Sequence, residues 1–438
     1  MSECHIWDVH AETMPREQLK KLQLQRLKEC VARAANVPLY QERFSQKGIT
    51  LDSIKSLDDL KRLPFTVKND LRANYPFGML AVPKSELARI HASSGTTGKP
   101  TLCGYTASDL DNWANLCARF LTSGGLKREH TAQVAFGYGL FTGGFGLHYG
   151  IEKVGCAVIP TSAGNTARQV MLLQDAAPDA LVSTPSYALN LADALHQAGI
   201  KPGSLNLKMA FFGGEAWTES MRHAIENSLG IQVYNNYGLS EVLGPGVSGE
   251  CHCRTGMHIQ EDHFLFECIN PETEEPVAEG EQGELVITAL TREAMPVIRY
   301  RTRDLATLDA SPCPCGRTTM RMGRVYGRTD DMMIIRGVNI FPSQIEEALL
   351  KVGGTAPHYL IELSRPKNTD CAVVKVEMRA QDFSDQMSEL QALKQRIARE
   401  IRSVTGLHFD IELAAPNSLE RSLGKAKRVI DRRNLKDN

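Results

Sequence analysis

Between His91 and Thr101 the chain reads His-Ala-Ser-Ser-Gly-Thr-Thr-Gly-Lys-Pro-Thr. Gly95 and Gly98 let backbone N–H groups come close to phosphate oxygens. Ser93, Ser94, Thr96 and Thr97 add hydroxyl donors, and Lys99 adds a mobile positive charge. A Walker loop has a longer spacer between its glycines and a Ser or Thr after the lysine. Here the spacer is short and Pro100 follows Lys99, so a P-loop NTPase is disfavoured. A surface turn would carry Gly and Ser, but seldom this density of hydroxyls closing on Lys-Pro. Phosphate binding is the stronger reading.

Further polar clusters lie downstream. Gly213-Gly214-Glu215 leaves room for a flat ring against backbone, although alone it reads as a tight turn. Tyr237-Gly238-Leu239-Ser240-Glu241 offers a ring to stack, hydroxyls and a carboxylate. Mg²⁺ is often held by one or two carboxylates together with phosphates. Tyr300-Arg301-Thr302-Arg303-Asp304 brings a carboxylate that can take paired hydroxyls, or else forms a surface salt-bridge pattern. Gly327-Arg328-Thr329-Asp330-Asp331 and a lone Gly424-Lys425 complete the series.

Cysteines supply a second kind of chemistry. The chain has 11, mostly scattered singly, which fits a reducing compartment better than a disulfide framework. Cys251-His252-Cys253, His258 and Cys313-Pro314-Cys315 stand apart. Zinc takes four thiolate or imidazole ligands in structural sites. The candidate set is Cys251, His258, Cys313 and Cys315, with Cys253 able to replace Cys251 and His252 able to replace His258. The spacing is not that of a zinc finger. Free thiols beside a turn are the alternative. A metal here would pin the 251–258 loop to the 313–316 loop near the rim of the active site.

These residues must be positioned by a sizeable scaffold. The chain has 438 residues, 42% of them hydrophobic, enough for two or three domains. Its 50 basic and 51 acidic side chains nearly cancel, so nucleic-acid binding has no electrostatic support. No apolar run is long enough to span a membrane, and the first residues are polar, so the cytoplasm is expected. Leucine spacing predicts a helix over 16–35, ended by Pro38, and another over 108–122 capped by Ser108. From residue 130, short apolar runs at Val134–Phe136, Ala157–Pro160, Ala180–Thr184, Met209–Phe212 and Ile231–Tyr234 alternate with helical patterns. This predicts an α/β fold with a mostly parallel sheet, whose binding residues gather at strand carboxyl ends. The runs Phe264–Ile269, Glu284–Thr288 and Val297–Tyr300 predict an antiparallel subdomain. The expected domains are 1–329 and a small α+β domain, 330–438.

Taken together and in order, His91–Thr101, Gly137–Gly144, Tyr237–Gly246, Pro296–Leu305 and Gly327–Glu346 resemble the adenylate-forming superfamily of acyl-CoA synthetases. Within it the chain is similar to the phenylacetate–CoA ligases, from about residue 10 to the end. The resemblance implies ATP-dependent activation of an aryl-acetic acid, then transfer to CoA, with AMP and pyrophosphate as products. Another aryl acid, another thiol acceptor, or a non-catalytic AMP- or acyl-CoA-binding role are the alternatives. By motif, Ser93–Lys99 would hold the β- and γ-phosphates and Glu241 would ligate Mg²⁺. Gly214, Glu215 and Tyr237 would frame adenine, with Gly238 and Ser240 beside them. Asp304 would take the ribose hydroxyls, Arg328 would approach ribose or phosphate, and Lys425 would reach the α-phosphate. Tyr138 and Phe141 would line the aryl pocket, closed by Pro245 and Gly246. The C-terminal domain would turn about Asp330 between half-reactions. A homodimer is also implied.

Overall fold

The computed structural model describes residues 5–93, 100–366, 370–379, 387–420 and 428–433. The chain divides into two compact units. The first comprises Met1–Ser183, Gly203–Gly214 and Ile231–Arg324. The second comprises Thr184–Pro202, Glu215–Gly230 and Val325–Asn438. The second unit therefore holds the helices Pro185–Gln197 and Glu219–Leu229 together with the C-terminal stretch.

The first unit is built on a nine-stranded mixed sheet. Ala157–Ile159, Thr131–Val134, Ala180–Ser183, Met209–Gly213 and Gln232–Leu239 run parallel in that order. From Gln232–Leu239 onward the pairing turns antiparallel, through Gly244–Glu250, Met257–Ile259, Arg321–Met322 and Leu308–Asp309. The strand expected at Val134–Phe136 lies earlier, at Thr131–Val134. Its buried Gln133 masked the apolar run, and Gln169 satisfies that amide at 2.6 Å. Tyr237-Gly238-Leu239 continues a strand rather than following one. Gly238 permits this, because a Cβ there would lie 1.8 Å from the Gly244 carbonyl oxygen.

Two helix ends also differ from expectation. Helix Ala107–Ser123 is capped by Thr106, not Ser108. The Thr106 hydroxyl accepts from Asp109 N–H at 3.0 Å, and the Asp109 carboxylate accepts from Thr106 N–H at 3.1 Å. This reciprocal pairing satisfies two orphan donors, which Ser108 cannot do. Pro38 opens the helix Pro38–Lys47, where a first-turn proline loses no hydrogen bond.

A second, antiparallel sheet pairs Phe264–Ile269, Gly283–Ala289 and Val297–Ala306. Arg301 is buried in it and meets the Glu284 carboxylate at 2.7 Å, so Arg301 is structural rather than a surface pair. The glycine-rich stretch connects the antiparallel strands Arg89–Ala92 and Leu102–Tyr105.

In the second unit, Asp410–Ala414, Cys371–Met378, Thr355–Ser364 and Val429–Asp431 form a four-stranded sheet. Helix Met387–Thr405 buries Leu393, Ile397, Ile401 and Thr405, a one-face repeat, against the sheet side chains Ile361, Val374 and Val376. Met333–Ile335 and Val338–Ile340 form a hairpin whose turn, Arg336-Gly337, has φ of +49° and +78°. Among the described residues no helix is long and apolar enough to cross a membrane.

A buried charge network fixes the N-terminal segment onto the first unit. Arg119 lies between Asp262, at 2.9 Å, and Asp8, at 3.0 Å. Burial pushes the Asp262 carboxyl up, but His263 and Arg119 outweigh it and hold the group below its usual range. Removing one partner of such a pair strands the other. Asp262→Ala is therefore expected to lower unfolding free energy by about 3–5 kcal/mol in urea at neutral pH. Because the folded value is depressed, this contribution is full above about pH 4 and is lost as pH falls further. A wild-type stability flat from neutral pH into that acid range would contradict it.

Candidate active site

The four-residue turn Ser240–Leu243 joins Gln232–Leu239 to Gly244–Glu250. Although it is a turn, Ser240, Glu241, Val242 and Leu243 are all buried. Buried carbonyls need partners. Arg292 donates to the carbonyls of Glu241 at 3.0 Å and Gly104 at 3.1 Å, and more weakly to Ser240 at 3.4 Å. Its guanidinium lies over the Tyr105 ring, 4.5 Å from the centroid. The Tyr105 hydroxyl donates to the Leu243 carbonyl at 2.6 Å, and Trp113 Nε1 donates to that of Pro245 at 2.9 Å. Ser240 Oγ shares a hydrogen bond with Thr142 Oγ1 at 2.9 Å. The turn is thus held from several sides, and the Glu241 carboxylate has Lys68 Nζ 3.8 Å away.

Beside this turn, two sheets meet. The Tyr237 hydroxyl, from the large sheet, donates to Asp304 Oδ2, from the second, at 2.6 Å. Ser93 marks the near end of the glycine-rich stretch, its N–H donating to the Thr101 carbonyl at 2.9 Å. Ser94, Gly95, Thr96, Thr97, Gly98 and Lys99 lie outside the described residues, as does Lys425.

The aryl-pocket candidates cluster around helix Thr142–Val154. Phe141 is its N-cap residue. Tyr138 packs edge-on against Phe145, and its hydroxyl lies 3.0 Å from His148 Nδ1. Burial pushes the Tyr138 phenol above its ordinary range. Pro245 approaches Gly146, where an added Cβ would sit 2.8 Å from Pro245 Cγ. Gly246, with φ +87°, faces Cys117 of the helix Ala107–Ser123.

Gly214 ends the first unit's Met209–Gly214 stretch with φ +84°. In the second unit, Glu215 Oε2 accepts from Ser186 Oγ at 2.6 Å and from Ser186 N–H at 3.2 Å. Arg328 forms a two-pronged pair with Asp330, at 2.8 and 3.0 Å.

Cys251, His258, Cys313 and Cys315 are all buried, with donor atoms within 4.8 Å of one another. Cys251 and Cys313 sulfurs are 3.8 Å apart, and Cys315 Sγ is 3.3 Å from His258 Nε2. A tetrahedral ion with Zn–S bonds of about 2.3 Å sets thiolates roughly 3.8 Å apart. His258 Nδ1 meets Thr319 Oγ1 at 3.1 Å, which orients the ring. A hydrogen bond from Cys251, opposed by burial and aided by His258, holds the Cys315 thiol well below its ordinary range. The donor set fits a zinc ion. Cys253 forms a second grouping with Cys251 and His252. Cys251 directly follows the strand Gly244–Glu250.

Sequence reading missed Arg292, Lys68, Thr142 and Ser186. Arg292 had a signal: a charged Arg-Glu pair between two strand-like runs. The others are single polar residues brought near by folding.

The chain matches the AMP-binding enzyme family over residues 13–290 and the AMP-binding enzyme C-terminal domain over 337–433. It is 48% identical to a phenylacetate-coenzyme A ligase of Aromatoleum evansii, covering 96% of each chain. It is 48% identical to another from Thermus thermophilus, covering 98% of this chain and all of that one. In structure it is similar to a 2-hydroxyisobutyryl-CoA ligase in the postadenylation state, with TM-score 0.92, 31% identity, and coverage of 98% of this chain and 93% of that one. Against the same ligase in its thioesterification state, at 31% identity and covering 99% and 94%, the TM-score is 0.73.

Arg292→Ala is expected to leave several carbonyls under the turn without a donor and to cost about 3 kcal/mol or more, read by urea unfolding. A loss below about 1 kcal/mol would mean that water serves those carbonyls as well.

Proposed function

The chain belongs to the AMP-binding enzymes, alongside the phenylacetate–coenzyme A ligases, and from that premise we propose that it converts phenylacetate, ATP and CoA to phenylacetyl-CoA, AMP and pyrophosphate. The observation that carries this reading is the meeting of Tyr237 and Asp304 at 2.6 Å, beside the buried turn that presents Ser240 and Glu241. A ring, a ribose-seeking carboxylate and a metal-seeking carboxylate are gathered at strand ends, where such folds bind ligands.

In the first step, a carboxylate oxygen of the acid bonds to the α-phosphorus as the bond to the bridging oxygen breaks, and pyrophosphate leaves. In the second, the CoA sulfur attacks the acyl carbon, AMP departs, and the thiol proton is released. Positioning and charge neutralisation do most of the work in phosphoryl transfer. Ser93–Lys99 grips the β- and γ-phosphates. Gly214 and Glu215, with Tyr237 and Gly238, flank the adenine, and Asp304 takes the ribose hydroxyls. Arg328 turns from Asp330 toward ribose or phosphate, and Lys425 places its charge on the α-phosphate as negative charge builds there. A Mg²⁺ on Glu241 would supply phosphate neutralisation; one carboxylate suits an ion that keeps waters and phosphates as its other ligands. Tyr138, Phe141, Pro245 and Gly246 hold the aryl ring.

The related 2-hydroxyisobutyryl-CoA ligase is known in postadenylation and thioesterification states. The same two-step cycle for this chain has residues 330–438 turn about Asp330 between the steps. Cys251, His258, Cys313 and Cys315 hold a structural zinc that clamps two loops away from the reacting groups.

Pyrophosphate release is expected with phenylacetate and ATP, and thioester only when CoA is added. Benzoate and indole-acetate serve as competing acids, and faster release with either would move the substrate assignment. No acid-dependent release would sink the ligase reading; release without thioester would point to another thiol acceptor.

For the metal, elemental analysis should find one zinc per chain. Cys315→Ser should lose it and lower Tm. A wild type that carries no zinc, or whose Tm is unchanged when the metal is removed, would contradict the site.

A further inference from the structure

Arg428 immediately precedes the edge strand Val429–Asp431, and its carbonyl accepts from Ile361 N–H at 2.8 Å. Its guanidinium lies over the Tyr359 ring, 4.3 Å from the centroid, with Nη2 3.5 Å from Glu346 Oε2. The same Nη2 is 3.4 Å from Ser186 Oγ, 242 residues away in the chain. Ser186 in turn donates to Glu215 at 2.6 Å. One side chain therefore connects the C-terminal sheet to the carboxylate that follows Gly213-Gly214.

We infer that Arg428 is a positioning residue for the adenylation half-reaction, a bolt that docks the C-terminal segment on Ser186–Glu215 and is withdrawn before thioester formation. This rests on the ligase reading given above. Three features support it. The partners divide: Tyr359 and Glu346 belong to the segment that would turn about Asp330, whereas Ser186 and Glu215 precede it. Contacts of 3.4–3.5 Å to a hydroxyl and a carboxylate are long for charged hydrogen bonds, as suits a contact made and broken each cycle. Lys425 lies three residues before Arg428, and three residues of extended chain reach about 11 Å at most, so docking Arg428 bounds where Lys425 can act. A second contact crosses the same divide, His358 Nε2 to Asp193 Oδ2 at 3.6 Å, but Asp193 is half exposed and the pair is charged only when His358 is protonated.

The test separates the half-reactions in the full-length chain. Adenylation is read as phenylacetate-dependent exchange of pyrophosphate into ATP. Thioester formation is read from supplied phenylacetyl-adenylate and CoA. Arg428→Met keeps the bulk over Tyr359 and removes the charge. It is expected to lower the exchange kcat by about tenfold or more while thioester formation stays within about twofold, and Arg428→Lys should restore part of the exchange. Ser186→Ala should slow exchange in the same way, and the double variant should be no worse than Arg428→Met alone. Parallel loss of both half-reactions, unchanged exchange in Arg428→Met, or additive losses in the double variant would overturn the bolt. A wild type with no acid-dependent exchange would instead overturn the ligase reading beneath it.

Discussion

The arrangement depends on a buried turn whose Ser240, Glu241 and Leu243 carbonyl oxygens are met by protein donors. Ser240–Leu243 joins two strands so close that a side chain at Gly238 would meet the Gly244 carbonyl, and a side chain at Gly244 would meet the Trp113 indole. A turn packed that tightly cannot be served by bulk water, and each unserved carbonyl would cost on the order of 1–3 kcal/mol. Arg292, Tyr105 and Trp113 meet the requirement. A buried arginine in this role is itself costly unless its donors are used, and here it spends them on backbone rather than on a carboxylate. The consequence is that the backbone carrying Glu241 is held from several sides, which is the kind of support that the proposed Mg²⁺ site requires.

The outer parts of the first unit serve the same end by different means. Arg119, Asp262 and Asp8 bind the N-terminal segment, and Arg317 reaches Glu12 at 2.6 Å from the chain directly after Cys315. The cysteine cluster and the ion pairs therefore form one continuous clamp. It lies at the end of Gly244–Glu250 opposite the turn and so anchors the strand that carries Pro245 and Gly246.

Much of this was legible in the residues because it obeys local rules. The parallel strands follow apolar periodicity, and the grouping of Cys251, His258, Cys313 and Cys315 follows from residue type. What stayed hidden was governed by contacts distant in sequence. Gln133 is polar inside a strand because Gln169 answers it. Thr106 rather than Ser108 caps a helix because Asp109 stands at the reciprocal position. Pro38 starts a helix because the chain has already turned. Lys68 and Ser186 carry no motif of their own. Lys68 meets Glu241 and Ser186 meets Glu215, and no spacing along the chain records either pairing.

The central claim is that Tyr237 and Asp304 form the wall that receives the nucleotide. Calorimetric titration of AMP into the wild type and Asp304→Asn tests it most directly. The substitution keeps an oxygen for the Tyr237 hydroxyl, so the fold should survive, but it removes the charge offered to the ribose. The account predicts AMP affinity weaker by about tenfold or more in a variant with wild-type urea unfolding. Equal AMP affinity in a folded Asp304→Asn would place the nucleotide elsewhere and contradict the account.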